Sequence, residues 1–279
     1  MKRKRAGLAF ASPGLLVLVA VVAFPLGYAL FLSFTRYSFI QPNYDFVGLN
    51  RYLEAIKEFY FRNSVLTSVF YVLTTVILSL CLGFILALLL YQKVPLKGFH
   101  YFAMSLPMLI APVGVGLIWK MILHPELGIL SYLFGRCDFL GDPRYALFTL
   151  AFVDVWQQTS FVALVFLAGL RSLPKEPFEA ALVDGASFWQ ILRYVTIPLL
   201  TPIIAVLLIY QTVVEIKTYD LVYVLTKGGP GVSTDLISYY IYRRAFLGLD
   251  LSGASAMAYI LLFFSLILVF LYYRKLLKS

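Results

Sequence analysis

The sequence predicts an all-α polytopic membrane protein with six transmembrane helices. Three observations carry that prediction. Of 279 residues, 61% are hydrophobic and 13% charged, against roughly 45–50% apolar and about 25% charged in soluble domains; mean hydropathy is +0.87. Six nearly charge-free stretches are long enough for a hydrocarbon core, which takes about 20 residues per helix: 6–35, 63–92, 98–119, 145–170, 194–214 and 251–273. Each is apolar all round, without the alternation of a barrel strand. Finally, the bases gather on one side of the expected membrane.

The chain begins "MKRKRAGLAF" and runs straight into the first stretch. A basic start suits a cleaved signal peptide, but the uncharged run exceeds the roughly 7–15 residues of a signal core, so a retained first span is expected. An outer segment follows, in which "EAIKEF" has helical character; it suits either a helix resting on lipid or a solvated connector. Residues 1–62 therefore form one expected unit, a span with its outer segment, and 63–275 another with the remaining five spans. Cys81 lies inside the second span and Cys137 in an outer loop, without CxxC spacing. The third span crowds Pro107, Pro112, Gly114 and Gly116 into one expected helix. Membranes tolerate such breaks only where neighbours or a wet cavity satisfy the freed carbonyls, which points to a pathway lining or to close helix packing.

With six spans both termini share a side. That side carries Lys2, Arg3, Lys4, Arg5, Lys93, Lys97, Arg171, Lys175, Arg193, Arg274, Lys275 and Lys278, twelve bases against Glu176, Glu179 and Asp184. The positive-inside rule makes it cytoplasmic. The formal net charge of +9 follows from this orientation, and no nucleic-acid partner is expected.

From Arg171 to Arg193 inclusive there are six charged residues, so this stretch cannot span. It reads as two short helices joined at a corner. Pro177 suits an early helical position, Glu176 and Glu179 a helix N-terminus, and Gly185 a left-handed exit. "SFWQ" from Ser187 is a capping box, after which Phe188, Ile191, Leu192 and Val195 form one apolar stripe. Helices this short need a surface to dock on: a partner, or the chain's own spans.

"EAALVDGASFWQILRYVTIP", residues 179–198, resembles the EAA loop of permease subunits of binding-protein-dependent ABC importers. Its pattern is E-A-A, three residues, G, nine residues, I-x-L-P. Glu179, Ala180, Ala181, Gly185 and Pro198 match, while Val195 and Ile197 replace the usual Ile and Leu. "FLAGLRSLPKEPFEAALVDGAS" and "YVLTKGGPGVST", residues 223–234, are similar to the sugar-importer branch, the latter to the type that includes the larger maltose permease. Ser131 departs from it, where Asn is usual. The resemblance implies a type I importer permease fold with a cytoplasmic coupling hairpin at 176–198. The implied partners are a second homologous permease, two ATPase subunits, an extracytoplasmic solute-binding protein, a sugar and the surrounding membrane lipid. The chain itself would bind no cofactor and catalyse nothing; ATP and Mg would be used by the ATPase, gripped to this chain through Glu179, Ala180, Ala181, Asp184, Gly185 and Pro198.

Ionisable groups at membrane depth are pathway candidates. Asp154 is the one charge in the fourth span, and Gln157 and Gln158 follow at i+3 and i+4, on one expected face. Gln211 and Glu215 sit a turn apart at the end of the fifth, beside Tyr210. The resemblance implies substrate contacts from these two spans. Asp154, Gln157, Gln158, Gln211 and Glu215 are thus expected to line a polar site, with Trp156, Phe161 or Tyr210 stacking on sugar faces; the alternative is that the polar groups only tie helices together. The carboxyls, without a nearby base, favour a neutral saccharide. No enzyme constellation is visible: His100 and His124 have no metal-ligand spacing, and "TKGGPGVST" lacks the Lys-Ser/Thr of a P-loop. The rival function is a self-sufficient transporter coupled to protons through Asp154 and Glu215. That class is often built from paired repeats, and none is evident.

Overall fold

A computed structural model describes residues 12–37, 43–92, 95–135 and 137–274. Residues 6–11 of the first expected span, the basic start, Lys93, Lys275 and Lys278 lie outside the described residues. In chain order the elements are α1 (Ser12–Ser33), β1 (Thr35–Arg36), β2 (Asp45–Phe46), α2 (Asn50–Lys57), α3 (Phe59–Tyr91), α4 (Lys97–Leu109), α5 (Pro112–Ile122) and α6 (Ile129–Phe134). They are followed by α7 (Ala146–Ser172), α8 (Glu176–Val183), α9 (Phe188–Ile191), α10 (Ile197–Ile216), α11 (Asp220–Leu225), α12 (Ile237–Tyr242) and α13 (Leu251–Tyr272).

Among the described residues five helical stretches are long and apolar enough to cross a bilayer, namely Ser12–Ser33, Phe59–Tyr91, Ala146–Ser172, Phe188–Leu225 and Leu251–Tyr272. The third expected span, 98–119, needs correction: α4 and α5 meet at 98°, so it is a broken pair and not one helix. Pro112 stands in the first turn of α5 and Ala111 before it is extended, φ −60° and ψ 143°, as a residue preceding proline prefers. Ile110 is extended too. Pro107 removes a further donor inside α4. With 13 and 11 residues, neither arm alone reaches the length of a span.

The chain divides into two compact units. One contains the described residues of 1–62 with 240–264. There α1 exits into a two-stranded antiparallel ribbon, Thr35 paired with Phe46 and Arg36 with Asp45, which the sequence did not suggest. Tyr259 donates its hydroxyl to the Leu26 carbonyl at 2.6 Å, and the Tyr37 amide bonds Ser252 Oγ at 2.8 Å, so α13 is stitched to α1 and to the ribbon.

The other unit contains 63–239 with the described residues of 265–279. Its centre is α7, which packs against α4, α5, α10 and α11. Two-thirds of its apolar window (67%) is buried within this chain, against 6% for that of α1. A core of Ala87, Leu90, Val162, Phe166, Leu167, Leu170, Leu200 and Leu207 joins α3, α7 and α10. Gly83 permits the α3–α7 approach: a Cβ there would stand 2.5 Å from Val162 Cγ1.

The corner segment also differs from two free-standing helices. α9 continues through a π turn, Leu192–Thr196, into α10, so the expected second helix is the start of the fifth span. The Ile197 amide reaches back to Leu192 O, and Pro198 follows at once. A widened turn gives the ring room where it would otherwise meet a carbonyl of the preceding turn. The same arrangement occurs in α1, where the π turn Val19–Ala23 precedes Pro25.

Candidate functional site

At membrane depth the structure gathers part of the expected polar set around a partner that sequence reasoning missed. Asp154 (2% exposed) on α7 accepts a hydrogen bond from the Tyr71 hydroxyl of α3. Glu215 (1% exposed) on α10 and Gln158 are electrostatic neighbours of Asp154. Thr218 Oγ1 donates to Glu215 Oε2 at 3.4 Å. Asp154, Gln158 and Glu215 are thus brought together, in a buried knot joining three helices. A tyrosine inside the apolar run "VFYVLTTV" was the signal for Tyr71, since a hydroxyl in lipid wants a partner.

The other amides do not join that knot. Gln157 leaves the face of Asp154 and Gln158, and its Nε2 donates to the Ile110 carbonyl at 2.8 Å, the group released where the third span breaks. Gln211 is fully buried, with Nε2 3.5 Å from Ser79 Oγ of α3. Within this chain Asp154, Gln157, Gln211 and Glu215 are therefore buried between helices, not open to a path. The aromatic candidates are more accessible. Phe161 and Tyr210 pack against each other, centroids 4.9 Å apart and rings tilted by 37°. Trp156 meets Trp119 edge to face at 5.6 Å and lines an apolar groove of about 830 Å³ between α3, α4 and α7, with Leu82, Met104, Pro107 and Phe152.

The hairpin is built as its sequence suggests. Glu176 and Glu179 occupy the first turn of α8. Gly185 has φ +72°, and the Ala186 amide bonds Ala181 O at 2.9 Å while the Gly185 amide bonds Leu182 O at 3.1 Å, a Schellman exit that glycine permits without strain. Ser187 and Gln190 close the capping box, the Ser187 amide donating to Gln190 Oε1 at 2.7 Å. Neither α8 nor α9 contains a buried residue. Leu182, Val183, Phe188, Trp189 and Tyr194 are all exposed, Val183 by 88% and Trp189 by 73%. So much uncovered apolar surface is the kind that protein or membrane contacts bury.

Near Pro230 the glycine-rich turn folds on itself. Thr234 Oγ1 donates to the Gly229 carbonyl at 2.7 Å and lies 2.7 Å from Thr226 Oγ1, and Asn63 Nδ2 donates to the Val232 carbonyl at 3.2 Å. Ser131, the departure from the family pattern, donates to the His124 carbonyl at 2.9 Å.

A bundle of spanning helices, one of them broken, with an exposed capped hairpin continuous with a span, defines a transport permease. The chain belongs to the family described as binding-protein-dependent transport system inner membrane component, matched over residues 79–278. It is a multi-pass membrane protein with a type I ABC importer permease fold. It is 31% identical over 263 residues to the trehalose/maltose transport system permease protein MalF of Thermococcus litoralis, covering 92% of this chain and 88% of that one. Identity to the sn-glycerol-3-phosphate transport system permease protein UgpA of Agrobacterium fabrum is 30% over 260 residues, with 90% and 87% covered. In fold the chain is similar to a bacterial ABC transporter involved in the import of the acidic polysaccharide alginate: TM-score 0.82, 23% identity, 99% of this chain and 96% of that one covered.

Proposed function

We propose that this chain is the non-catalytic permease subunit of an ATP-driven importer that moves a saccharide, neutral by preference, delivered by an external solute-binding protein. It pairs with a second, homologous permease and two ATPase subunits, which use ATP and Mg; this chain holds no cofactor. Both termini face the cytoplasm. The observation that carries the reading is the 176–198 hairpin, matched in sequence and left with its apolar residues uncovered. Glu179, Ala180, Ala181, Asp184 and Gly185 dock in the ATPase, and Pro198 sits where the docked corner becomes a span. Closure of the ATPase moves this corner, and the spans exchange inward for outward access, each state favoured by its own contacts.

For the path, Gln158, Trp156, Phe161 and Tyr210 meet the sugar, while Asp154, Gln157, Gln211 and Glu215 form the polar wall behind them. Aromatic faces and amides suit a saccharide, which offers apolar C–H faces and hydroxyls. The relatives named for trehalose/maltose and for glycerol phosphate make substrate charge a question for measurement. A panel of labelled neutral sugars and sugar phosphates, bound to the partner binding protein, answers it.

Affinity purification of this chain from its native membrane tests the assembly: an ATPase and a second permease co-purify in the expected result, and their absence refutes it. Glu179→Lys is expected to leave membrane insertion intact while substrate-stimulated ATP hydrolysis falls at least about tenfold, the loss of a contact of roughly 1.4 kcal/mol. Tyr210→Ala or Gln158→Ala weakens stimulation by substrate without loosening the complex; a normal substrate response in both removes them from the path.

A further inference from the structure

The connection between the first two spans has no part in the transport reading, and its geometry points to a specific partner. We propose that α2 is an interfacial helix: Leu49, Leu53 and Ile56 rest in the bilayer surface, and an ion-pair network on the opposite face fixes its roll. This inference needs only that α1 and α3 cross the membrane, so it is independent of substrate, orientation and ATPase.

The level of α2 is set by bonds to the end of α1. The Val47 amide donates to the Phe34 carbonyl at 2.8 Å, one residue beyond Ser33, and the Tyr52 and Ser33 hydroxyls are 2.6 Å apart. The Tyr52 ring lies 5.6 Å from that of Phe34. At its other end α2 stops at Glu58, extended at ψ 125°, and Phe59 begins α3. The helix is therefore bracketed by the same-side ends of two spans, which is where headgroups lie.

Its faces are segregated. At 100° per residue Leu49, Leu53 and Ile56 form one stripe, exposed by 63%, 53% and 54%. Ala55 is buried. Opposite, Arg51 meets Glu54 at 3.1 Å and Asp250 at 3.6 Å, while Arg244 meets Glu58 at 2.8 Å and Asp250 at 2.9 Å. The Tyr240 hydroxyl donates to Glu58 Oε1 at 2.5 Å; burial, then this bond, holds its pKa above the ordinary phenol value, so it stays a donor. Single surface pairs contribute little, but a network anchored in the 244–250 turn leaves one roll angle, with the stripe outward. Phe46 and Tyr60 are exposed beside it, as expected of an interfacial aromatic belt. An isolated eight-residue helix is not stable in water; apolar insertion among headgroups supplies what is missing.

The test uses the full-length chain, with Cys81→Ser and Cys137→Ser, reconstituted in phosphatidylcholine vesicles that contain lipids spin-labelled near the headgroup or deep in the acyl chain. An environment-sensitive fluorophore is attached at Leu53→Cys, Ile56→Cys or, as the polar-side control, Asn50→Cys. Shallow labels are expected to quench the first two about threefold more than the control, with or without the other subunits present. Equal quenching at all three sites overturns the proposal, as does protection that appears only when a second permease or a binding protein is added. Arg244→Gln should let the helix roll and shrink the contrast between Leu53 and Asn50; an unchanged contrast refutes the roll lock.

Discussion

A carbonyl released by a helix break needs a donor where water is scarce, and at Ile110 that donor is Gln157, reaching across from α7. Leaving such a group unpaired costs about 1–3 kcal/mol. Gln157→Leu is therefore expected to lower thermal stability in detergent by that amount, read from the unfolding midpoint, and to leave the Asp154–Tyr71 contact in place; an unshifted midpoint would mean the carbonyl finds another partner. The sequence marked Gln157 as a polar residue at membrane depth but assigned it to the face of Asp154 and Gln158, because in a regular helix i+3 and i+4 share a face with i. Its true target was a main-chain atom on another element, which no side-chain pattern encodes. Asp154 and Glu215 were legible as an unusual pair, and Tyr71 less so, since tyrosine is common in a chain with 20 of them.

At the scale of elements, the hairpin was the most readable part, because caps are local: Gly185, Ser187 and Gln190 specify their own backbone. Gly185→Val would force a β-branched residue into φ +72°, at roughly 1–2 kcal/mol. It should depress stimulated ATP hydrolysis in the reconstituted complex before it alters insertion, and equal losses in both would argue against a local effect. What the sequence hid was continuity. The fifth span was expected from 194, yet the π turn before Pro198 joins it to the helix that starts at Phe188. The third span shows the reverse case, in which Pro112 ended a helix that hydropathy alone had drawn straight. Gly83 tests how closely elements meet. Gly83→Leu on α3 would overlap Val162, with a loss of about 1–3 kcal/mol, whereas Gly27→Leu on α1, with nothing within 4 Å, should leave the midpoint unchanged.

For the whole molecule, vesicles holding the assembled complex should accumulate sugar only with internal ATP and external binding protein, and dissipating a proton gradient should leave uptake unaltered. Uptake by this chain alone, driven by protons, would return Asp154 and Glu215 to the role of carriers. Fold class and span number could be read from hydropathy because lipid imposes one rule on every segment. The groove and the buried knot depend on how helices rotate against each other, and apolar runs of uniform character leave rotation unspecified.

From Phe188 to Ile216 the backbone winds without interruption, about 44 Å at 1.5 Å per residue. One end is a bare corner bearing Trp189; close to the other, Glu215 meets Asp154. Under the proposed coupling, such a piece would work like a connecting rod. A nudge of a few ångströms at the corner would not have to be relayed through loops, since the same helical member carries the carboxyl beside Asp154.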